Sequence, residues 1–116
     1  MLSCRKEEYS RILENTKNAK MAAWWDRAVD IIPADGGKGV GIRNVLAYYN
    51  IDREDAIAFG DGDNDIEMLE AVGNGIAMGN ASEILKSVAE GICGDVKMDG
   101  IYHYFVDRKI ISEIDR

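Results

Sequence analysis

An α/β fold built on a parallel sheet is what this sequence predicts, and two observations carry the prediction. Short apolar runs closed by glycine alternate with segments whose apolar residues recur at helical spacing, the pattern of repeated strand–helix units. At the strand-to-helix junctions lie glycine-rich turns holding either a lysine or a cluster of acids, and in an α/β sheet those junctions are where ligands bind.

The elements follow in order. Residues 5–18, with Tyr9, Ile12 and Leu13 as a weak apolar stripe, read as a helix. Residues 20–25 and 28–33 read as two strands around Asp26-Arg27. Successive strand side chains point to opposite faces, so one of Trp24 and Trp25 is expected in the core and the other along the surface. The single Pro33 marks the exit from this unit and a hinge. Ile42, Val45, Leu46 and Tyr49 then recur at helical spacing and predict a helix over 39–49. A strand over 55–60, a helix over 64–72, a strand over 75–78, a helix over 82–89, a short strand near 91–93 and a helix over 99–112 complete the reading.

The densest chemistry lies in Gly60-Asp61-Gly62-Asp63-Asn64-Asp65-Ile66-Glu67-Met68-Leu69, directly after the apolar run Ala56-Ile57-Ala58-Phe59. Carboxylates crowded on one strand-to-helix turn repel one another unless a hard cation such as Mg²⁺ bridges them. A single Asp at such a turn is ordinary capping or turn chemistry; three in five residues ask for more. A Ca²⁺-binding EF-hand loop is the nearest rival, because Asp61, Asp63 and Asp65 fill its first, third and fifth positions. It fails at the sixth, where Ile66 replaces the required Gly, and at the twelfth, where Val72 replaces the bidentate Glu.

Upstream, Asp35-Gly36-Gly37-Lys38-Gly39-Val40-Gly41 is a glycine-rich turn with one lysine, suited to reaching a phosphate. It is not a Walker loop, since Gly39 follows the lysine where Ser or Thr is needed and Ile32 stands where the first Gly belongs. No G-x-G-x-x-G dinucleotide fingerprint is completed in this segment or in the glycine-rich stretches at 60–62 and 73–79.

The order Lys38-Gly39, helix, Ala56-Ile57-Ala58-Phe59-Gly60-Asp61-x-x-Asn64-Asp65-Ile66-x-Met68-Leu69, then Gly75-Ile76-Ala77-Met78-Gly79-Asn80-Ala81 and Lys86, resembles the haloacid dehalogenase superfamily, specifically its Cof-type sugar-phosphate phosphatases. The resemblance covers about residues 20–107. It implies a Mg²⁺-dependent phosphomonoesterase with a doubly wound parallel-sheet core and an inserted α/β cap. By the same resemblance Lys38 is the lysine that neutralises the phosphoryl group, Asp61 the direct Mg²⁺ ligand and Asp65 the second acid supporting the metal. Asn64 and Asn80 are similar to the asparagines near the phosphate, and Asp63 occupies a variable position, read as turn chemistry.

The family's nucleophile and general acid/base are two Asp in a D-x-D-G-T-like run after its first core strand, and these residues contain no such run. Its second motif, a Ser or Thr ending another early strand, has no candidate either. The expectation is therefore a carboxyl-terminal portion: residues 1–34 as the end of the cap and 35–116 as the second half of the core. About twice this length is what core plus cap normally need. Three function classes follow: such a phosphatase acting on small phosphorylated metabolites, with sugar phosphates as the family's substrate class; a catalytically inactive remnant with a weak metal site; and, disfavoured, a Ca²⁺-binding module. Without the nucleophile the isolated chain is expected to be inactive.

Composition bounds the partners. A formal charge of −7 without a basic cluster argues against nucleic acid and anionic membranes. No apolar run of about 18 residues and no signal or lipidation pattern occurs, which makes a cytoplasmic protein the expectation. Cys4 and Cys93 are far apart and form no C-x-x-C, in keeping with reduced thiols. His103, among Tyr102, Tyr104 and Phe105, reads as packed or surface rather than catalytic. The strand bearing Asp61 would lie beside the missing nucleophile strand, so self-association or association with the absent amino-terminal half is expected.

Overall fold

The computed structural model describes residues 2–114 and resolves the chain into an antiparallel hairpin and a parallel sheet. The hairpin pairs β1 (Ala19–Trp25) with β2 (Ala28–Pro33), in register from Ala19 opposite Pro33 to Ala23 opposite Val29, with a shift before Trp25. Leu2 bridges Val29 through two backbone hydrogen bonds of 2.7 and 3.0 Å, and Val29 is fully buried. The side chains of Trp24 and Trp25, expected on opposite faces of this strand, lie outside the described residues.

Three strands, β3 (Ile57–Gly60), β4 (Asn74–Ala77) and β5 (Gly91–Ile92), form a parallel sheet in the order β3-β4-β5. Parallel neighbours need crossovers, and α3 (Ile66–Glu70) and α4 (Glu83–Val88) supply them. Ser82 caps α4 by accepting the Leu85 N–H at 3.2 Å. The core gathers Ala58, Leu69, Val72, Ala77, Met78, Ala81 and Leu85 between sheet and helices. Full burial of a leucine such as Leu85 contributes about 1.5–3 kcal/mol. Gly75 lets α3 lie directly on β4: a Cβ there would stand 2.6 Å from the Leu69 carbonyl oxygen.

Helix α2 (Lys38–Tyr49) links hairpin to sheet, and Asn50 ends it in the left-handed conformation with the Ile51 N–H returned to the Leu46 carbonyl. Three sequence expectations are corrected. The helix over 5–18 is a 3₁₀ turn at Lys6–Glu8 followed by the five-residue α1 (Tyr9–Leu13). Asn15 and Asn18 adopt positive φ, which a helix does not tolerate, and three apolar side chains do not offset that local preference. The strand over 55–60 begins only at Ile57, because Arg53–Asp55 close a 3₁₀ turn. The last helix is α5 (Gly100–Asp107) rather than 99–112. Lys109, at φ 57, terminates it: its N–H reaches the Val106 carbonyl and that of Ile110 the Phe105 carbonyl, a Schellman closure made without glycine.

Among the described residues β3 pairs only with β4, so its other edge is open. Phe59 on β3 packs edge-on against Tyr104 and Phe105 of α5, at 5.3 and 5.5 Å between ring centres. No helix among the described residues is long and apolar enough to cross a membrane.

Candidate active site

The carboxyl end of β3 delivers Asp61, and a 3₁₀ turn at Asp63–Asp65 leads into α3. Gly60 is required there, since a Cβ would stand 2.7 Å from that of Asp65. Asp65 folds back over the turn: its Oδ2 accepts the N–H groups of Asp61 at 3.0 Å and Gly62 at 3.3 Å. Its Oδ1 accepts from Lys38 Nζ, 27 residues upstream at the first position of α2. Asp65 is only 4% exposed. Burial alone would raise its carboxyl pKa, but the Lys38 hydrogen bond and the two N–H groups outweigh it and hold the group below the usual carboxylate range.

The three acids of the turn face different partners. Asp63 Oδ1 accepts the Ser82 hydroxyl at 2.5 Å, tying the acidic turn to the cap of α4, whereas Asp61 is exposed and opens on the cavity. Asp63 is thus turn chemistry with a specific partner, one that lies 19 residues downstream and that spacing in the sequence did not indicate.

Above the turn lies a cleft of about 1060 Å³ between the hairpin and the sheet ends, with Lys38, Asp61, Asp63 and Asn64 on its floor and Lys20, Met21 and Asp30 of the hairpin on its roof. A smaller recess of about 470 Å³ is lined by Asp30, Lys38, Asp61, Gly62, Asn64 and Asp65. The structure therefore brings together Lys38, Asp61, Asn64 and Asp65. Asn80 stands apart from both cavities, in the turn after β4, with its Oδ1 accepting the Val96 N–H at 3.1 Å. Asp30 was missed by sequence reasoning; only the fold of the hairpin over the turn reveals it. Tyr9 also lines the cleft, and its hydroxyl pKa is raised by burial and then by nearby acidic groups, Cys4 and Asp63 among them. His103 is exposed and stacks edge-on with Tyr102, away from the cleft.

The sequence profile of haloacid dehalogenase-like hydrolases matches residues 2–105, nearly the whole chain. The chain belongs to this family. Among relatives of this haloacid dehalogenase-like hydrolase chain, a protein encoded in the pdhA 5′ region of Geobacillus stearothermophilus is 48% identical over 84 residues, 72% of this chain and 88% of the relative. The 5-amino-6-(5-phospho-D-ribitylamino)uracil phosphatase YitU of Bacillus subtilis is 40% identical over 85 residues, 73% of this chain and 31% of the relative. The solved structure of the subclass IIB sugar phosphatase BT4131 superposes with a TM-score of 0.84 at 30% identity, over 92% of this chain and 41% of that one. The chain thus spans about a third of one phosphatase and two fifths of the other. The likeness to BT4131 places the described sheet and helices within a haloacid dehalogenase-type α/β core.

The donor chemistry suits part of a hard-cation shell. Asp61 presents a carboxylate to the cleft, while both Asp65 oxygens are already engaged, and no cluster of three or more His, Cys, Asp or Glu side chains among the described residues could close around a metal. A cation that keeps several waters and takes one or two carboxylates, as Mg²⁺ does, fits this set.

Proposed function

We propose that this chain is the carboxyl-terminal part of a Mg²⁺-dependent phosphatase acting on small phosphorylated metabolites, with sugar phosphates as the substrate class. The observation that carries the reading is the Lys38–Asp65 pair anchored on the Asp61 and Gly62 N–H groups, at the floor of a cleft that Asp61 shares. Residues 1–34 act as the end of a cap and residues 35–116 as the second half of the core. The names of YitU and BT4131 support phosphomonoester chemistry and, in the second case, a sugar substrate.

In this reading Asp61 holds Mg²⁺ directly and Asp65 supports it through its surroundings. When bound, the ion neutralises charge on the phosphoryl oxygens. Lys38 supplies the second positive charge from the opposite side of the turn, and Asp65 keeps its ammonium aimed at the recess. Asn64 lines the recess and offers an amide to a phosphoryl oxygen; Asn80 orders the neighbouring turn. The hairpin covers the cleft, which limits water and selects the leaving group. The in-line nucleophile and the proton donor come from the amino-terminal half of the core, with which this chain associates in the cytoplasm.

The test is reconstitution. Alone, the chain should hydrolyse p-nitrophenyl phosphate no faster than Mg²⁺-containing buffer, because losing a nucleophile removes several orders of magnitude of rate. Mixed with the separately produced amino-terminal half of a relative bearing the D-x-D-G-T run, it should gain Mg²⁺-dependent phosphate release that Asp61→Asn abolishes. A Mg²⁺-dependent rate from the chain alone, or a stable complex with no turnover, would refute the assignment, the latter favouring an inactive remnant.

A further inference from the structure

Two elements of the site are joined by a contact that the phosphatase reading does not use. Lys20, on β1 of the hairpin, donates from Nζ to both carboxylate oxygens of Glu67, at 3.0 and 3.2 Å, across 47 residues of sequence. Glu67 lies on the first turn of α3, two residues after Asp65. It also lies close to the backbone on either side of Lys38. A Cβ on Gly37 would stand 3.1 Å from Glu67 Oε2 and 3.7 Å from Lys20 Nζ, and one on Gly39 would meet the Glu67 carbonyl at 2.9 Å and its Cβ at 3.0 Å. Gly37 sits at φ +111, a conformation that favours glycine, at the point where the link from β2 enters α2.

We infer that Glu67 is a positioning residue for Lys38, and that its ion pair with Lys20 makes that positioning depend on the hairpin being docked. The inference rests on the phosphatase reading for its functional meaning. Geometrically, the 3₁₀ turn and the start of α3 meet the Lys38 segment twice: Asp65 takes the ammonium, and Glu67 lies beside the glycines on either side of the lysine, its carboxylate near Gly37 and its backbone and Cβ near Gly39. Releasing Lys20 frees the Glu67 carboxylate to swing away from Gly37, and the link preceding Lys38 gains freedom. A docked hairpin therefore presents an ordered lysine to the phosphoryl group, and an undocked one a mobile lysine.

The experiment is competitive acetylation of the full chain with an N-hydroxysuccinimide acetate, quantified per lysine by peptide mass spectrometry. Lys38 is about half exposed and so reachable, and Lys86 of α4, paired with Glu83, is the internal reference. The Lys38-to-Lys86 labelling ratio should rise about two- to fivefold in Glu67→Gln and in Lys20→Met, the range that a partly exposed ion pair spans. The double variant should exceed Glu67→Gln by no more than measurement error, and Lys20→Arg should keep the wild-type ratio. Circular dichroism checks that each variant is folded; if Glu67→Gln is not, Lys20→Met, altered on the hairpin rather than in the core, decides alone. An unchanged ratio in folded Lys20→Met, or an equal rise in Lys20→Arg, would overturn the coupling and leave the phosphatase reading standing. Failure of the reconstitution assay would remove the phosphatase reading without altering the labelling result.

Discussion

Replacing Asp65 by Asn isolates the charge at the centre of the site. The asparagine amide oxygen can still accept the Asp61 and Gly62 N–H groups, but its NH₂ then faces the Lys38 ammonium, donor against donor. A hydrogen bond to a charged partner is worth about 1.5–3 kcal/mol, and because Lys38 is half exposed, water recovers part of that. The two N–H bonds also weaken when their acceptor loses its charge. A net loss of about 1–3 kcal/mol follows, which moves a urea midpoint by about 1 M at the m-values usual for a small domain. The pH dependence gives a second signature. The Asp65 pKa in the folded chain lies below its unfolded value of about 3.9, so its contribution is fully present above that value and is lost as pH falls through the lower folded one. The stability gap between wild type and Asp65→Asn should therefore be constant between about pH 7 and pH 5 and narrow below about pH 4. Urea unfolding followed by tryptophan fluorescence at pH 7, 5 and 3 measures it. A variant as stable as wild type at pH 7, or a gap undiminished at pH 3, would refute the account of how this turn is held.

Two further outcomes are expected. Calorimetry should find Mg²⁺ binding to the isolated chain on the order of millimolar or weaker, because among the described residues of the acidic turn Asp63 and Asp65 are already engaged, which leaves the Asp61 carboxylate for the ion, and Mg²⁺ releases its waters reluctantly; submicromolar affinity would contradict the partial shell, and for Ca²⁺ it would revive a sensor role. The open edge of β3 carries no Pro or Lys to block pairing, and Ile57 on it is 36% exposed, so light scattering at tens of micromolar should find the chain self-associated or bound to an added amino-terminal half. Ile57→Lys should shift that assembly toward monomer or aggregate, and a stable wild-type monomer with slow amide exchange across residues 55–60 would count against the edge as a contact.

What the sequence determined by itself was whatever neighbouring residues dictate. The apolar run before Gly60 and the helical spacing of Ile42, Val45, Leu46 and Tyr49 place β3 and α2 close to where they lie. The same local logic put Lys38 and the Asp61–Asp65 turn at adjacent strand-to-helix junctions, which is why the site was legible as a set of residues. It failed where a backbone reversal carries no glycine signal, as at Lys109, and where a weak apolar stripe met asparagines that turn the chain, as at Asn15 and Asn18. Only the tertiary structure decided which groups meet: Lys38 with Asp65, Ser82 with Asp63, Lys20 with Glu67, and Asp30 over the recess. Those partners are 19 to 47 residues apart. Backbone preferences act over a few residues, whereas these pairs exist because packing the hairpin and helices on the sheet brings distant side chains into hydrogen-bonding range, and no local pattern records that distance.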